Sequence, residues 1–378
     1  MTPRCSRRCL LAGLVVVALA LAGCARDDRA SGPSCEHADL DFNEPATRLT
    51  FGVTGANPAH VKQARRILCV RLTAFGIDHR VAPAAGGALT IDVPRASELA
   101  DRPRDATILG VGKLAIYDWE ANVIGPDGAP APDTPTVTGG QGAGQSGALS
   151  LYDAVRRAAR RPATVRADNS RIGSLFYATN PKSKQVYTQS DSTPRGAATR
   201  AEALAAVPAS LRGRARIYEV KPGTVIVGAE RLNTGDSVGS WYVLRDDIAL
   251  RSTQIVNPQQ RHDEGPGATG EPVVTFDFTA EGSTAWQRLT RELADRGSRS
   301  VGEQSDTNAN QHFAIVVDDQ LLAVPYVDFR MNPEGIDPRT GSQISGRFTI
   351  ASARQLAVLL AGDPLPAPLE LTASRAAP

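Results

Sequence analysis

The residues FAIVVDDQLLAVPYVDF (313–329) and ISGRFTIASARQLAVLLAGDPLPAPLEL (344–371) decide how the rest of the chain is read. Two apolar runs flank Asp318 and Asp319, residues that tolerate turn geometry and accept backbone hydrogen bonds, so the pattern predicts strand, tight turn, strand. After Gly346, Ala353, Leu356, Ala357 and Leu360 recur at helical spacing. Gly362 ends that helix, and Pro364, Pro366 and Pro368 hold the following residues extended. No side-chain pattern in this stretch points to catalysis. It reads as a packing unit to which the rest of the chain is attached.

Upstream, PVVTFDFT (272–279) alternates Val274, Phe276 and Phe278 as a strand does, and AEGSTAWQRLTRELADRG (280–297) reads as an amphipathic helix carrying Trp286 and Leu289. The C-terminal unit is therefore strand, helix, hairpin, helix, strand. Near the other end, RLTFGVTG (48–55) predicts a strand. Pro58 opens a helix whose Val61, Ala64, Ile67, Leu68 and Leu72 form one apolar stripe. A hairpin across Gly86 and Gly87, a weak helix at 97–110 and the strand KLAIYDW (113–119) complete the series. Strand, helix, strand, strand, helix, strand is the order of a ferredoxin-like split βαβ sandwich.

The fold class expected is thus α+β: a ferredoxin-like base subdomain, then a second α+β head, with a large inserted middle segment. The boundaries read as 1–23 signal peptide, 24–46 tether, 47–120 base, 121–148 Gly/Pro-rich linker or loop, 149–270 middle segment and 271–373 head.

The N-terminus sets the expected location. Arg4, Arg7 and Arg8 precede the apolar run LLAGLVVVALALAG (10–23), too short for a comfortable membrane span. LAGC (21–24) matches the bacterial lipobox, in which the chain is cut before the cysteine and the sulfur is acylated, so Cys24 is the expected lipidation site. The expected place is the extracytoplasmic face of the cell membrane, held by lipid. The formal charge of +2 falls to about −1 once the signal arginines leave, which gives no support for nucleic acid as a partner. Cys5 and Cys9 leave too. Cys35 and Cys69 then either pair as a disulfide, tying the tether to the first helix, or Cys69 sits unpaired in the core; the sequence leaves both open.

PVVTFDFTAEG, FAIVVDDQLLAVPYV and ISGRFTIASARQLAVLLAGDPLPAPL resemble the head of the large extracytoplasmic domain of the SecD protein-export subunit. ARRILCVRLTAFGI, ALTIDVP and KLAIYDW resemble that domain's base. The resemblance implies an extracytoplasmic binding module that contacts translocated polypeptides or Sec translocon components, as in free-standing actinobacterial SecD-like lipoproteins. It does not extend to SecD's membrane helices or their proton-coupling aspartate, so the expectation is the binding region alone.

Other motifs carry less. Gly235-Asp236-Ser237-Val238-Gly239 matches G-x-S-x-G, but a strand-like segment follows where a nucleophile elbow needs a helix. Gly142 to Gly147 matches G-x-G-x-x-G without the hydrophobic strand that a dinucleotide site requires before it. His37, His60, His79, His262 and His312 are scattered without metal-ligand spacing. Trp119, Trp241 and Trp286 read as core. No catalytic residue, cofactor site or metal site is assigned. The large middle segment motivates a second use of the fold, an envelope lipoprotein binding a small molecule, glycan or other lipoprotein.

Overall fold

The computed structural model describes residues 45–53, 57–103, 107–125, 148–188, 195–229, 241–264, 269–301, 309–340, 342–345 and 348–377. The chain divides into two units, Met1–Ser34 and Cys35–Pro378. The first lies wholly outside the described residues, as do Cys24, Cys35, Ser237 and the glycines of 142–147.

In chain order the first elements are β1 (Ala46–Val53), α1 (Pro58–Phe75), β2 (Arg80–Ala84), β3 (Ala88–Pro94), α2 (Glu98–Asp101), β4 (Leu114–Asp118) and α3 (Trp119–Asn122). Next come α4 (Leu151–Ala159), β5 (Leu175–Asn180), β6 (Gln185–Tyr187), α5 (Arg200–Ala205), β7 (Arg216–Val220), β8 (Thr224–Gly228), β9 (Trp241–Arg245), β10 (Leu250–Arg251) and β11 (Ile255–His262). The last are β12 (Pro272–Phe278), α6 (Ala280–Ser300), β13 (Gln311–Val317), β14 (Gln320–Ala323), β15 (Tyr326–Val327), β16 (Ser342–Ile344), α7 (Ile350–Ala361) and β17 (Leu369–Ala376).

The base is an antiparallel sheet in the order β17-β1-β3-β2. Its first helix starts where the sequence says it should. Asn57 accepts the His60 N–H, Pro58 fills the first turn, and Gly76 closes the helix in the left-handed region (φ 80°). The stripe Val61, Ala64, Ile67, Leu68 and Leu72 is buried against the sheet. The second helix of the base is α7, which packs on α1, and the fourth strand is β17. The chain between Pro94 and Ile350 is thus inserted into a ferredoxin-like plait that the C-terminal helix and strand complete.

This corrects the expected extent of the base, 47–120. KLAIYDW does not close the base sheet; as β4 it lies between β10 and β13 in a seven-stranded sheet. The reason is in its apolar pattern. Every residue of β4 is buried, so it belongs in the middle of a two-sided layer, whereas β17 is exposed along most of its length and suits an edge.

The seven-stranded sheet runs β10-β4-β13-β14-β8-β9, with β15 also on β13. Alternate residues of its central strands feed two cores. Leu114, Ile116, Phe313, Ile315 and Val317 face α6 and α7, while Ala115, Tyr117, Ala314 and Val316 face Trp119, Val225 and Tyr242. Trp286 of α6 stacks on Phe278 (5.2 Å) and meets Phe313 edge-on (5.1 Å). Trp119, Trp241 and Trp286 are all buried, as read from the sequence. β8, β9 and β10, expected in a separate middle segment, are strands of this same sheet, so position 270 is not a boundary between bodies. The small sheet β6-β5-β7 sits with α4 and α5 beside it, and β11-β12-β16 forms a third.

One buried carboxylate ties the inserted region together. Asp246, just after β9, is 2% exposed; its Oδ2 accepts the Ser170 N–H (2.7 Å) and hydroxyl (2.6 Å), and its Oδ1 accepts the Tyr117 hydroxyl (3.1 Å). Burial still pushes its pKa above the ordinary 3.8 and pushes Tyr117 well above its own ordinary value. A carboxyl whose folded pKa is raised favours folding when protonated. That contribution is complete below about pH 4 and is lost as pH rises through the folded value. Asp246→Asn should therefore flatten this region of the stability–pH curve and cost no more than ~1 kcal/mol at neutral pH, while Asp246→Leu, which strands three donors, should cost about 3 kcal/mol. Urea unfolding across pH reads both.

Candidate functional site

The Asp318-Asp319 turn joins β13 to β14 with both residues at positive φ (53° and 63°), the turn geometry that Asp tolerates. The Asp318 carboxylate accepts the backbone N–H groups of Gly112 (2.9 Å) and Lys113 (3.0 Å), just before β4. Arg195 lies 3.9 Å from Asp318 and 3.3 Å from Asp319. Behind them Arg71 of α1, 1% exposed, donates through Nη1 to Gly110 O (2.6 Å) and through Nη2 to Val111 O (3.0 Å) and Asp363 O (3.0 Å). Gly112 (φ 87°) permits this approach, since a Cβ there would stand 2.7 Å from the guanidinium. Desolvation lowers the Arg71 pKa to about 10, partly offset by Asp318 and Asp363, so the group is charged at neutral pH. Base helix, β4, α7 and the Asp turn thus meet on one set of polar contacts.

A second cluster links β13 to the β4–α3 corner. Glu120 accepts the His312 backbone N–H (2.9 Å) and lies 2.7 Å from its Nδ1, and Arg296 bridges Asp118 (2.7 Å) and Gln311 (2.7 Å). These pairs fix the geometry of the corner. Among the described residues there is no group of three or more His, Cys, Asp or Glu placed to hold a metal ion. His60, His79 and His262 stand apart: the His60 backbone N–H donates to Asn57 Oδ1 (2.9 Å), and the rings of His79 and His262 lie against the carbonyls of Ile77 (2.7 Å) and Gly270 (3.2 Å). Cys69 is 3% exposed and disulfide-bonded, and Cys35 lies outside the described residues.

Among the described residues, one polar groove lies on the β11-β12-β16 sheet. An open groove of about 400 Å³ runs over its outer face, lined by Asn257, Gln259, Arg261, Thr275, Asp277, Ser342 and Gln343, with Phe276 beneath. Val274 and Phe276 point into the core, so the register row Gln259–Thr275–Gln343 faces outward across all three strands. Asn257 (φ 53°) donates to Asp277 (3.1 Å), and Val256 beside it is 37% exposed. Pro258 stands where the register with β12 slips, between Val256 and Gln259. Both outer strands, β11 and β16, pair on one side only among the described residues. Side-chain amides both donate and accept, which matches the repeating main chain of any extended peptide rather than one side-chain sequence.

The sequence reading picked out the Asp turn but neither Arg71 nor the amide row. A signal for Arg71 was present: it lies four residues after Ile67 and three after Leu68, on the apolar stripe, where a lone arginine needs buried partners. The amide row carries no local signal, because cross-strand register alone assembles it.

Residues 229–367 match the family model of the SecDF P1 head subdomain, starting just after β8 and reaching past α7. The protein translocase subunit SecD of Rickettsia conorii (strain ATCC VR-613 / Malish 7) is 32% identical over 165 residues, covering 43% of this chain and 27% of that protein. The SecD of Elusimicrobium minutum (strain Pei191) is 26% identical over 159 residues, covering 40% and 28%. The chain thus spans about a quarter of the length of these relatives. Among solved structures, SecDF in its super-membrane-facing form matches with TM-score 0.44 at 16% identity, covering 88% of this chain and 30% of that one. A structure described as a membrane component SecDF that enhances protein export matches with TM-score 0.40 at 15% identity, covering 87% and 100%.

Proposed function

We propose that this chain, whose SecD-like head stands on a SecD-like base, is an extracytoplasmic binding module accessory to protein export that contacts translocated polypeptides or translocon subunits. The observation that carries the reading is the P1 head match over 229–367, which contains the whole groove-bearing sheet. The amide-lined groove supports it chemically, since a partner in export must be held without regard to its sequence. Cys24 is proposed as the acylated anchor on the outer face of the cell membrane, and no catalytic group or cofactor enters the reading. Among the described residues, no helix is long and apolar enough to cross a membrane. Cys35 is proposed as the partner of Cys69; a non-reducing peptide map should show that pair, and Cys69 joined to any other cysteine would sink it.

A photocrosslinking amino acid placed at Gln259 or Gln343 in living cells tests the reading. Adducts with secreted precursors or translocon subunits are expected at both positions and not at Ser183, an exposed residue on the β5–β6 turn. Adducts confined to glycans or to unrelated lipoproteins would favour the other use of the fold. That alternative was motivated by the middle segment, of which β8, β9 and β10 belong to the shared sheet while β5, β6 and β7 form a sheet of their own.

A further inference from the structure

The loop from Thr164 to Gly173 is pinned at both ends to one turn, between β7 and β8. Thr164 donates its backbone N–H to Pro222 O (2.9 Å), and a Cβ on Gly223 (φ 88°) would stand 2.4 Å from Thr164 O. Arg171 donates to the carbonyls of Val220 (3.2 Å) and Thr224 (2.5 Å). Inside the loop, Asn169 Nδ2 donates to Thr164 O (2.6 Å), and Ser170 is held by Asp246.

A loop fixed this firmly nevertheless turns two aliphatic side chains outward. Val165 is 67% exposed and Ile172 79%. Each directly follows one of the two pinned residues, so both project from the same anchored base. The surrounding charge is positive. Arg160, Arg166, Lys221 and Arg245 are exposed; of the acids in this neighbourhood, Asp246 is buried against Ser170, and Asp168 (2.9 Å) and Asp247 (3.1 Å) are both bound by Arg166. Arg160, Lys221 and Arg245 remain in excess.

Ordered aliphatic tips ringed by cations fit the boundary of an anionic bilayer, where the tips enter the acyl region and the cations meet phosphates. A protein partner would need a pocket shaped to each tip; a bilayer needs only depth. We propose that Thr164–Gly173 is a membrane-contact loop that seats the folded domain on an anionic phospholipid surface. The proposal rests on the membrane-attached reading of the chain but concerns a contact separate from acylation.

The test uses the full-length chain with Ile172→Cys, labelled with an environment-sensitive fluorophore. It is mixed with vesicles of phosphatidylcholine alone or of phosphatidylcholine and phosphatidylglycerol in equal amounts. A blue shift is expected only with the anionic vesicles, and a label at Ser183→Cys should stay aqueous. Adding Arg160→Gln and Lys221→Gln should lower the ratio of inserted to aqueous label roughly thirtyfold. An aqueous label at 172 on anionic vesicles overturns the proposal, as does a shift that appears only when an acidic protein is added. Acylation is read separately, from the mass of the N-terminal peptide, so a missing anchor and a loop that does not insert are told apart.

Discussion

Ending the chain at Pro368 is expected to unfold the base. That cut removes β17, which pairs with β1 at seven register positions from Thr47↔Ala376 to Val53↔Leu369. At ~1 kcal/mol net for each ladder bond, and with Leu369 and Leu371 lost from the core, the cost is of the order of the whole stability of a small domain, ~5 kcal/mol or more. The complementary experiment should succeed. Residues 45–112, joined by about six Gly/Ser residues to 349–377, unite β1, α1, β2 and β3 with α7 and β17, and the linker spans the length of α7. This shortened chain is expected to unfold cooperatively in urea, with dispersed amide resonances, whereas a chain of 45–120 is not. A folded 45–120 would mean that β4 can close the base sheet after all.

The place of β4 outside the base sheet shows where sequence stops. Local signals were legible because their physics is local: the αL glycine after α1, the proline that opens it, the two aspartates that allow the β13–β14 turn and the alternation of Val274 and Phe276. Which strand closes a sheet is a long-range choice, and chain order favours the next strand along. The better guide was one-sidedness. LAIYD is apolar almost throughout and must be covered on both faces, while LELTASRA carries two leucines on one side and polar groups elsewhere. The candidate groove was less legible still. Gln259, Thr275 and Gln343 come from three strands, and only their register makes them neighbours. The shared sheet also bears on experiment: deleting 121–270 would remove β8, β9 and β10, so a phenotype from that deletion would report unfolding rather than function.

Replacing Arg71 should be the most damaging single substitution at the joint between base and head. Arg71→Ala takes the guanidinium from the half-buried carbonyls of Gly110 and Asp363 and from Val111 O, which keeps the Leu365 N–H (2.8 Å), and opens a cavity beside Leu68 and Leu72; about 4 kcal/mol is expected from the two effects together. Arg71→Met separates them. It fills most of the volume but satisfies no carbonyl, so about 3 kcal/mol should remain. Arg71→Lys keeps the charge, yet one ammonium cannot reach three carbonyls set around a planar fork, and about 2 kcal/mol should still be lost. Charge itself is not the source of the stability. The folded pKa of about 10 lies below the ordinary 12.5, so between those values the unfolded chain binds the extra proton and stability from this group rises with pH. Below about pH 9 it adds no slope, and the cost of Arg71→Met should be the same at pH 6 and pH 8. Urea unfolding of the three variants at both pH values measures this. If Arg71→Met proved as stable as the parent chain, the three carbonyls would have found other donors, and the guanidinium would be packing volume rather than the clamp that joins α1, the strand before it reaches β4, and the end of α7.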